Sequence, residues 1–194
     1  ITGTHGKTTT TAMTSWLLDQ VGLNPSYLVA GLPRDLPKPY RLSTGPHFVL
    51  EGDEYDSAYF AKIAKFLFYR PKILVINNIE FDHADIYRDL DEIVRAFRQV
   101  INQVPSNGLI CACGDDEVVN SLLQAAPAPC LRFGLDDAND FRAIDVEVDS
   151  GGQTFGITHR ETSLGRWRIG APGAYNIRNA LAAVTVGHWL GIPV

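Results

Sequence analysis

The residues that decide the fold are the first eight of the chain, Ile1-Thr2-Gly3-Thr4-His5-Gly6-Lys7-Thr8. Two glycines bracket a short turn, which ends in Gly-Lys-Thr and leads directly into a stretch with helical spacing. A loop of this kind turns its backbone N–H groups toward a phosphate, and the start of the following helix adds partial positive charge. The stretch therefore predicts a phosphate-binding loop, and with it a bound nucleoside triphosphate.

The residue types in the loop fit that chemistry. Lys7 can reach the outer phosphates, and the Thr8 hydroxyl can bind Mg²⁺. The pattern is shorter than a full Walker motif, because Ile1 stands where that motif has its first glycine. A chance Gly-Lys-Thr at the start of a helix is the alternative. The predicted nucleotide-binding residues of the loop are Gly3, Thr4, His5, Gly6, Lys7, Thr8 and Thr9.

The order of apolar segments after the loop predicts the fold class. Strands are expected at 48–50, 72–77 and 109–113, and helices at 8–21, 89–104, 117–125 and 176–190. This alternation predicts an α/β fold with a P-loop-type, doubly wound, mostly parallel sheet flanked by helices. Alternating residues near 141–170 predict a small antiparallel sheet, and the proline-rich residues 31–47 are predicted to be a loop.

Composition narrows the class of protein. The 194 residues carry a net charge of −5, so we expect neither a nucleic-acid partner nor a membrane partner. No apolar run approaches the ~18 residues of a membrane span. Three cysteines without a Cys-x-x-Cys pair predict no zinc site and no disulfide framework; Cys111 and Cys113 lie in an apolar run and are expected to be buried. A cytoplasmic location fits this composition.

Two further motifs follow predicted strands, at the edge where ligands of such sheets bind. Glu51 opens an acidic segment directly after 48–50, and it is the best candidate for a Mg²⁺ ligand because that ion prefers oxygen. A solvated acidic loop is the alternative, although four acids within six residues repel one another unless a cation or basic partner is near. His83 follows 72–77 with Asp82 beside it, which makes a metal or phosphate role and a structural role equally plausible.

A fourth motif lies at the start of the last predicted helix. Asn176 could be the N-cap of that helix. Its amide could instead contact adenine, because an amide offers both a donor and an acceptor.

Together the four motifs resemble the Mur ligase family, the ATP-dependent enzymes that form amide bonds in peptidoglycan synthesis. The resemblance covers nearly the whole chain and corresponds to the central ATP-binding domain of those enzymes. It implies that Glu51 and His83 bind Mg²⁺ together with Thr8, that Lys7 and His83 are catalytic, and that Asn176 and Asn179 contact adenine. Tyr175 departs from the family pattern, which usually has histidine there.

The resemblance also implies a reaction and a domain organisation. A substrate carboxylate would attack the γ-phosphate of ATP, and an amine would attack the resulting acyl phosphate, releasing ADP and phosphate. The substrates would be UDP-N-acetylmuramate and a peptide or an amino acid. We expect a strand and a UDP-binding domain upstream of residue 1, and an amine-binding domain downstream; oligomeric state stays open.

Within the family, the segments around Tyr55 and Phe81 are most similar to the branch that joins the tripeptide L-alanyl-γ-D-glutamyl-meso-diaminopimelate to UDP-N-acetylmuramate during peptidoglycan recycling. The branch that adds L-alanine is the alternative. More distant alternatives are a folylpolyglutamate-synthase-like ligase and a nucleotide-binding module without ligase activity.

Overall fold

The computed structural model describes residues 1–56, 63–81 and 87–193. Within those residues the chain forms four α-helices and nine β-strands. The helices are α1 (Lys7–Gln20), α2 (Leu90–Gln103), α3 (Glu117–Leu123) and α4 (Ala174–Trp189). The strands are β1 (Ser26–Leu28), β2 (Tyr40–Arg41), β3 (Phe48–Leu50), β4 (Ile73–Ile76), β5 (Leu109–Cys113), β6 (Cys130–Gly134), β7 (Phe141–Asp149), β8 (Gly152–His159) and β9 (Thr162–Ile169).

Two sheets carry the fold, and the α/β class predicted from the sequence is confirmed. The larger sheet has the order β4-β5-β6-β7-β8-β9; its pairs from β4 to β7 are parallel and its last two pairs are antiparallel. The smaller sheet has the order β2-β1-β3, with β1 and β3 parallel.

Ile1 and Thr2 join the two sheets. The amino group of Ile1 donates to the carbonyl of Leu50 at 2.8 Å, and the N–H of Gly52 donates to the carbonyl of Ile1 at 2.6 Å. On the other side, the N–H of Thr2 donates to the carbonyl of Val75 at 2.7 Å. These two residues therefore occupy a strand position between β3 and β4, and the phosphate loop leaves the sheet from that position.

Helices cover both faces of the parallel strands, which explains their continuous apolar character. Side chains alternate between the faces because the period of a strand is two residues. Leu74 and Ile76 pack in one buried cluster with Phe97 of α2, whereas Val75 packs in another with Leu181 of α4. A polar residue inserted in β4 would thus be buried whichever face it pointed to.

Two helices begin at predicted places with a capping carboxylate. Asp89 precedes α2 and accepts a hydrogen bond from the N–H of Glu92 at 2.9 Å. Asp116 precedes α3 and accepts from the N–H of Val119, also at 2.9 Å. Each cap satisfies a donor that the first helical turn leaves unpaired, so the sequence fixes where these helices start.

The antiparallel strands predicted near 141–170 are β7, β8 and β9. Because β7 pairs in parallel with β6 through Phe133 and Phe141, these hairpins continue the parallel sheet. The prediction of an uninterrupted loop at 31–47 is wrong at Tyr40 and Arg41, which form β2 against β1. The two residues of β2 are too few to show a hydrophobic period, and pairing with β1 makes them a strand.

The cysteines match the expectation of buried thiols. Cys111 and Cys113 are buried in β5, Cys130 is half-buried, and all three are free. Burial raises the pKa of the Cys113 thiol to about 11, which keeps it protonated and unreactive near neutral pH. In the described part of the chain, no helix combines the length and the hydropathy that crossing a membrane requires.

Candidate nucleotide and metal site

The phosphate loop turns at two glycines that no other residue could replace without strain. Gly3 and Gly6 have φ values of +128° and +82°, in the region that favours glycine. A Cβ on Gly6 would lie 2.5 Å from Oδ1 of Asn179, and a Cβ on Gly3 would lie 3.0 Å from the Cβ of Asn77. Both glycines are therefore required by backbone conformation and by space.

Hydrogen bonds fix the loop to the segment that follows β4. Asn78 accepts from the N–H of Thr4 at 3.0 Å through its carbonyl, and from the N–H of His5 at 2.7 Å through Oδ1. The Thr4 hydroxyl accepts from the N–H of Glu80 at 2.9 Å. The side chains of His5 and Glu80 are exposed and approach to 3.7 Å. The loop is thus held at the carboxyl end of β4, the edge where ligands of such sheets bind.

Lys7 is held inside the loop by an ion pair that the sequence analysis does not predict. Its Nζ donates to both carboxylate oxygens of Glu54, at 3.0 and 2.9 Å, and to the carbonyl of Gly3 at 2.8 Å. The Glu54 side chain is only 3% exposed. The signal for this pair lies in the acidic segment itself, because closely spaced acids need a nearby cation. Asp53 of the same segment pairs with Lys65 at 3.3 Å.

Thr8 and Glu51, two of the predicted metal ligands, lie side by side. The Thr8 hydroxyl donates to Oε2 of Glu51 at 3.0 Å, and Oε1 of Glu51 accepts from the N–H of Ala30 at 2.6 Å. A hydroxyl and a carboxylate are oxygen donors of the kind Mg²⁺ prefers, and this ion commonly binds one or two carboxylates while keeping waters and phosphate oxygens. The pair fits a Mg²⁺ site. Thr9 follows in the first turn of α1 and is half-buried.

His83, the third predicted metal ligand, lies outside the described residues, as does Asp82. Among the residues that are described, no group of three or more His, Cys, Asp or Glu side chains is arranged to hold a metal ion. The fit of Mg²⁺ therefore depends on Thr8 and Glu51, and the role of His83 stays a prediction.

The predicted adenine contacts lie beneath the phosphate loop as linked amides. Oδ1 of Asn179 accepts from the hydroxyl of Thr10 at 3.0 Å, and Nδ2 of Asn179 donates to Oδ1 of Asn176 at 3.3 Å. Nδ2 of Asn176 donates to the carbonyl of Pro172 at 2.7 Å. Helix α4 begins at Ala174, so Asn176 is not its N-cap.

Asn77 extends this amide chain to the loop. Its Nδ2 lies 3.3 Å from the carbonyl of His5 and 3.0 Å from the hydroxyl of Thr10, while its Oδ1 is buried without a hydrogen-bond partner. Asn77 and Asn179 line the cavity beside the loop, but Asn176 does not. The amides of Asn176 and Asn179 thus support the loop, and their contact with adenine stays a prediction.

A cavity of about 420 Å³ adjoins the loop at His5 and Gly6, and neither Lys7 nor Thr8 lines it. Its size suits a nucleoside, because ligand pockets typically start near 300 Å³. The exposed ring of Tyr175, at the residue where the family usually has histidine, borders this cavity. The lining residues are His5, Gly6, Asn77, Asn78, Glu80, Cys113, Asp115, Asp116, Tyr175, Arg178 and Asn179.

Asp115 lines this cavity and accepts hydrogen bonds from several groups around it. It accepts from Nε of Arg178 at 2.6 Å, from the N–H of Leu135 at 2.8 Å and from Nδ2 of Asn139 at 2.8 Å. Burial by itself raises the pKa of Asp115, but hydrogen bonds from the backbone of Leu135 and Asp136, and from Arg178, outweigh burial and hold the pKa below its usual range. The ionised carboxylate therefore fixes the Arg178 guanidinium at the cavity wall. Its signal in the sequence is its place directly after β5.

A larger cavity of about 590 Å³ opens at the amino ends of β3 and β4. Apolar and aromatic side chains dominate its lining, among them Phe48, Tyr69 and Trp189. None of the predicted nucleotide-binding or metal-binding residues that the structure describes lines it. The lining residues therefore favour the smaller cavity, and not the larger one, as the candidate nucleotide site.

The site combines a glycine-bounded loop, a lysine at the end of that loop and a hydroxyl–carboxylate pair, and all three lie at the carboxyl edge of a parallel sheet. These features are typical of a phosphate-loop nucleotide-binding domain. The model of the Mur ligase middle domain family matches residues 1–187. The chain belongs to the Mur ligase family, and it corresponds to the middle domain of those proteins.

Individual relatives agree with this assignment. The chain is 35% identical over 194 residues to a UDP-N-acetylmuramate–L-alanyl-γ-D-glutamyl-meso-2,6-diaminoheptanedioate ligase of Haemophilus influenzae, covering 100% of the chain and 42% of that protein. It is 37% identical over 193 residues to a UDP-N-acetylmuramate–L-alanine ligase of Geobacter, covering 100% of the chain and 40% of that protein. The chain thus spans about two fifths of the length of these relatives.

A solved structure agrees in fold. The UDP-N-acetylmuramate:L-alanyl-γ-D-glutamyl-meso-diaminopimelate ligase of Neisseria meningitides superposes with a TM-score of 0.89 and 36% sequence identity, covering 99% of this chain and 61% of that one. The predicted family membership is thereby confirmed by sequence and by structure.

Proposed function

We propose that the chain is the ATP-binding domain of an ATP-dependent amide ligase of peptidoglycan metabolism. The observation that carries the proposal is the meeting of Lys7, Thr8 and Glu51 at one edge of the sheet in a member of the Mur ligase family. The free, buried thiols Cys111 and Cys113 are consistent with the proposed cytoplasmic location.

In the proposed reaction, a carboxylate of UDP-N-acetylmuramate attacks the γ-phosphorus of ATP, and ADP leaves. An amine then attacks the acyl carbon, the C–N bond forms, and phosphate leaves. Phosphoryl transfer depends on positioning and on neutralising charge more than on protein nucleophiles. Lys7 would neutralise charge on the outer phosphates, and the loop N–H groups would orient them. Mg²⁺, held by Thr8 and Glu51, would supply further neutralisation when bound.

The proposal assigns the remaining contacts to other parts of the protein. This chain supplies the nucleotide site, with the base beside Tyr175 and Arg178 in the 420 Å³ cavity. Recognition of the UDP-sugar and of the amine is proposed to belong to a UDP-binding and an amine-binding domain, as the resemblance to the family implies. His83 is proposed to complete the metal site.

For the amine, we propose the tripeptide L-alanyl-γ-D-glutamyl-meso-diaminopimelate, which would place the enzyme in peptidoglycan recycling. The segments around Tyr55 and Phe81 favour it, and Phe81 is 51% exposed next to the loop-binding residue Glu80. L-Alanine is the second candidate, because ligases that carry its name are similar to this chain at comparable identity.

The test is product analysis with the full-length protein, UDP-N-acetylmuramate, ATP and Mg²⁺. We expect ADP, phosphate and a new amide with the tripeptide, and little product with L-alanine. The reverse preference would identify the L-alanine branch. Nucleotide binding without amide formation from either amine would overturn the ligase proposal and favour a non-catalytic nucleotide-binding module.

A further inference from the structure

The ammonium group of Lys7 is surrounded by hydrogen-bond acceptors. Its Nζ lies within hydrogen-bond distance of four acceptors, the two oxygens of Glu54 and the carbonyl oxygens of Gly3 and Thr4, the last at 3.3 Å. The Lys7 side chain is 16% exposed. An ammonium group has three donors and no acceptor, so a further acceptor can bind only by taking a donor from one already present.

Glu54 is a fixed acceptor. Its side chain is almost completely buried, and the hydroxyl of Tyr87 donates to its backbone carbonyl. Burial near Glu54 raises the pKa of Tyr87 to about 12, first through desolvation and then through the negative charge of Glu54, so the tyrosine stays a neutral donor. The backbone of Glu54 is therefore anchored, and its buried carboxylate lies at hydrogen-bond distance from Lys7.

The carboxylate and a phosphate would need the same donor. The loop binds phosphate through its N–H groups and its lysine, and two oxygens of Glu54 already hold that lysine at hydrogen-bond distance. A phosphate that displaces one of these contacts also brings negative charge close to a carboxylate that is shielded from water, which opposes its binding.

We propose that Glu54 is the positioning residue of the phosphate-loop lysine: it holds Lys7 in the loop when no nucleotide is bound, and it competes with nucleotide phosphate for the ammonium group. This inference rests on the proposed function in one respect, namely that the loop binds the phosphates of ATP. The Glu54 carboxylate would then be an internal anion that limits how tightly the site binds ATP and ADP.

The experiment is calorimetric titration of the full-length protein with ADP in the absence of Mg²⁺. Glu54→Gln keeps the shape of the side chain and removes its charge. We expect Glu54→Gln to bind ADP about tenfold more tightly, the order of effect that a unit charge a few ångströms from a phosphate exerts after partial screening. The KM for ATP should fall in parallel.

The matched control is Asp53→Asn, which removes a neighbouring negative charge that pairs with Lys65 instead of Lys7. We expect its affinity for ADP to stay within about twofold of wild type, since its carboxylate is partly exposed and screened. Glu54→Asp, whose carboxylate is one methylene shorter, should be intermediate between wild type and Glu54→Gln. A purely structural role for Glu54 would instead lower the thermal stability of Glu54→Gln without tightening its binding of ADP.

The outcomes separate this inference from the proposed function. Unchanged or weaker ADP binding by folded Glu54→Gln, with normal binding by wild type, overturns the inference alone. Tighter binding by Glu54→Gln in a protein that forms no amide supports the inference and overturns the ligase proposal. Absence of ADP binding by both proteins overturns both.

Discussion

At the phosphate loop, Lys7 and Thr8 contact residues that are 47 and 43 positions away, and Thr10 contacts Asn179 across 169 positions. In the hairpins β7–β9, the ion pair between Arg168 and Asp149 spans 19 positions, and its side chains are half exposed. Contacts between residues far apart in the sequence thus hold the loop, whereas contacts between neighbouring strands of one hairpin hold the β7–β9 region. Substitutions in the loop should therefore affect both folding and binding, and substitutions of exposed side chains in the hairpins should affect little of either.

The largest effect is expected from Lys7→Ala in the full-length protein. Loss of the cation should lower ADP release by at least about 10³-fold, because charge neutralisation carries much of phosphoryl transfer. It should also lower the free energy of unfolding by about 3 kcal/mol, since the buried Glu54 carboxylate loses its ammonium partner. Steady-state assay of ADP release and urea unfolding measure the two effects.

The hairpin provides the control for this change. Arg168→Ala should leave ADP release unchanged, because its hydrogen-bond partners in the described part of the chain, Asp149 and Thr154, both lie in the hairpins. The double variant Lys7→Ala/Glu54→Gln should recover part of the lost stability but none of the turnover. Turnover of Lys7→Ala above a tenth of wild type would contradict the role given to Lys7.

A second pair of variants separates backbone strain from packing. Gly6 and Gly165 have nearly the same φ, +82° and +83°, but a Cβ meets Asn179 at 2.5 Å in the loop and nothing within 4 Å in the hairpin. Gly165→Ala should cost about 1 kcal/mol from the left-handed conformation alone. Gly6→Ala should cost about 3 kcal/mol, because overpacking adds to the same strain.

Urea unfolding of the two glycine variants measures the difference directly. Equal losses of stability would mean that the loop relaxes around the added methyl group, and the loop would then be less rigid than its hydrogen bonds to Asn78 indicate.

The smallest effect is expected at Asp149. The hydrogen bond from Arg168, followed by the N–H of Gly151, lowers the pKa of Asp149 to about 2. An unfolded aspartate titrates near pH ~4, so the stabilisation is present above that value and is lost as pH falls through about 2. Asp149→Asn should therefore flatten the dependence of stability on pH between about 4 and 2.

The change at neutral pH should be small, because exposed ion pairs contribute little and salt screens them. Glu147→Gln, which removes the neighbouring pair with Arg166, is the control and should leave the acid range unaffected. A steep acid dependence retained by Asp149→Asn would assign that range to other carboxylates.

Much of the fold could be predicted from the sequence, because most helices and several strands have a local pattern of apolar residues or a capping residue. Strand β5 is apolar throughout, and α2 combines an apolar stripe with the cap Asp89. Strands β1, β2 and β6 are not predicted from the sequence. Strand β2 is held by pairing with β1, β1 by pairing with β3, and β6 by pairing with β5 and β7. Tertiary pairing, not local preference, makes those residues strands.

The candidate site shows the same division. The proximity of Thr8 and Glu51 could be predicted, because a phosphate loop and an acid at the end of a strand meet at one edge of such a sheet. The acid Glu54 could not be assigned to Lys7, since nothing in the sequence says which of several neighbouring acids turns inward. Likewise, Asn176 looks like a helix cap, yet the helix starts two residues earlier at a glycine-capped turn.

The most direct test of the site is titration of the full-length protein with a non-hydrolysable ATP analogue, with and without Mg²⁺, for wild type and Glu51→Gln. We expect Mg²⁺ to tighten binding at least about tenfold in wild type and far less in Glu51→Gln, because the carboxylate beside Thr8 is the proposed ligand of the ion. Equal tightening in both proteins, or no binding by wild type, would contradict a triphosphate site built from Lys7, Thr8 and Glu51.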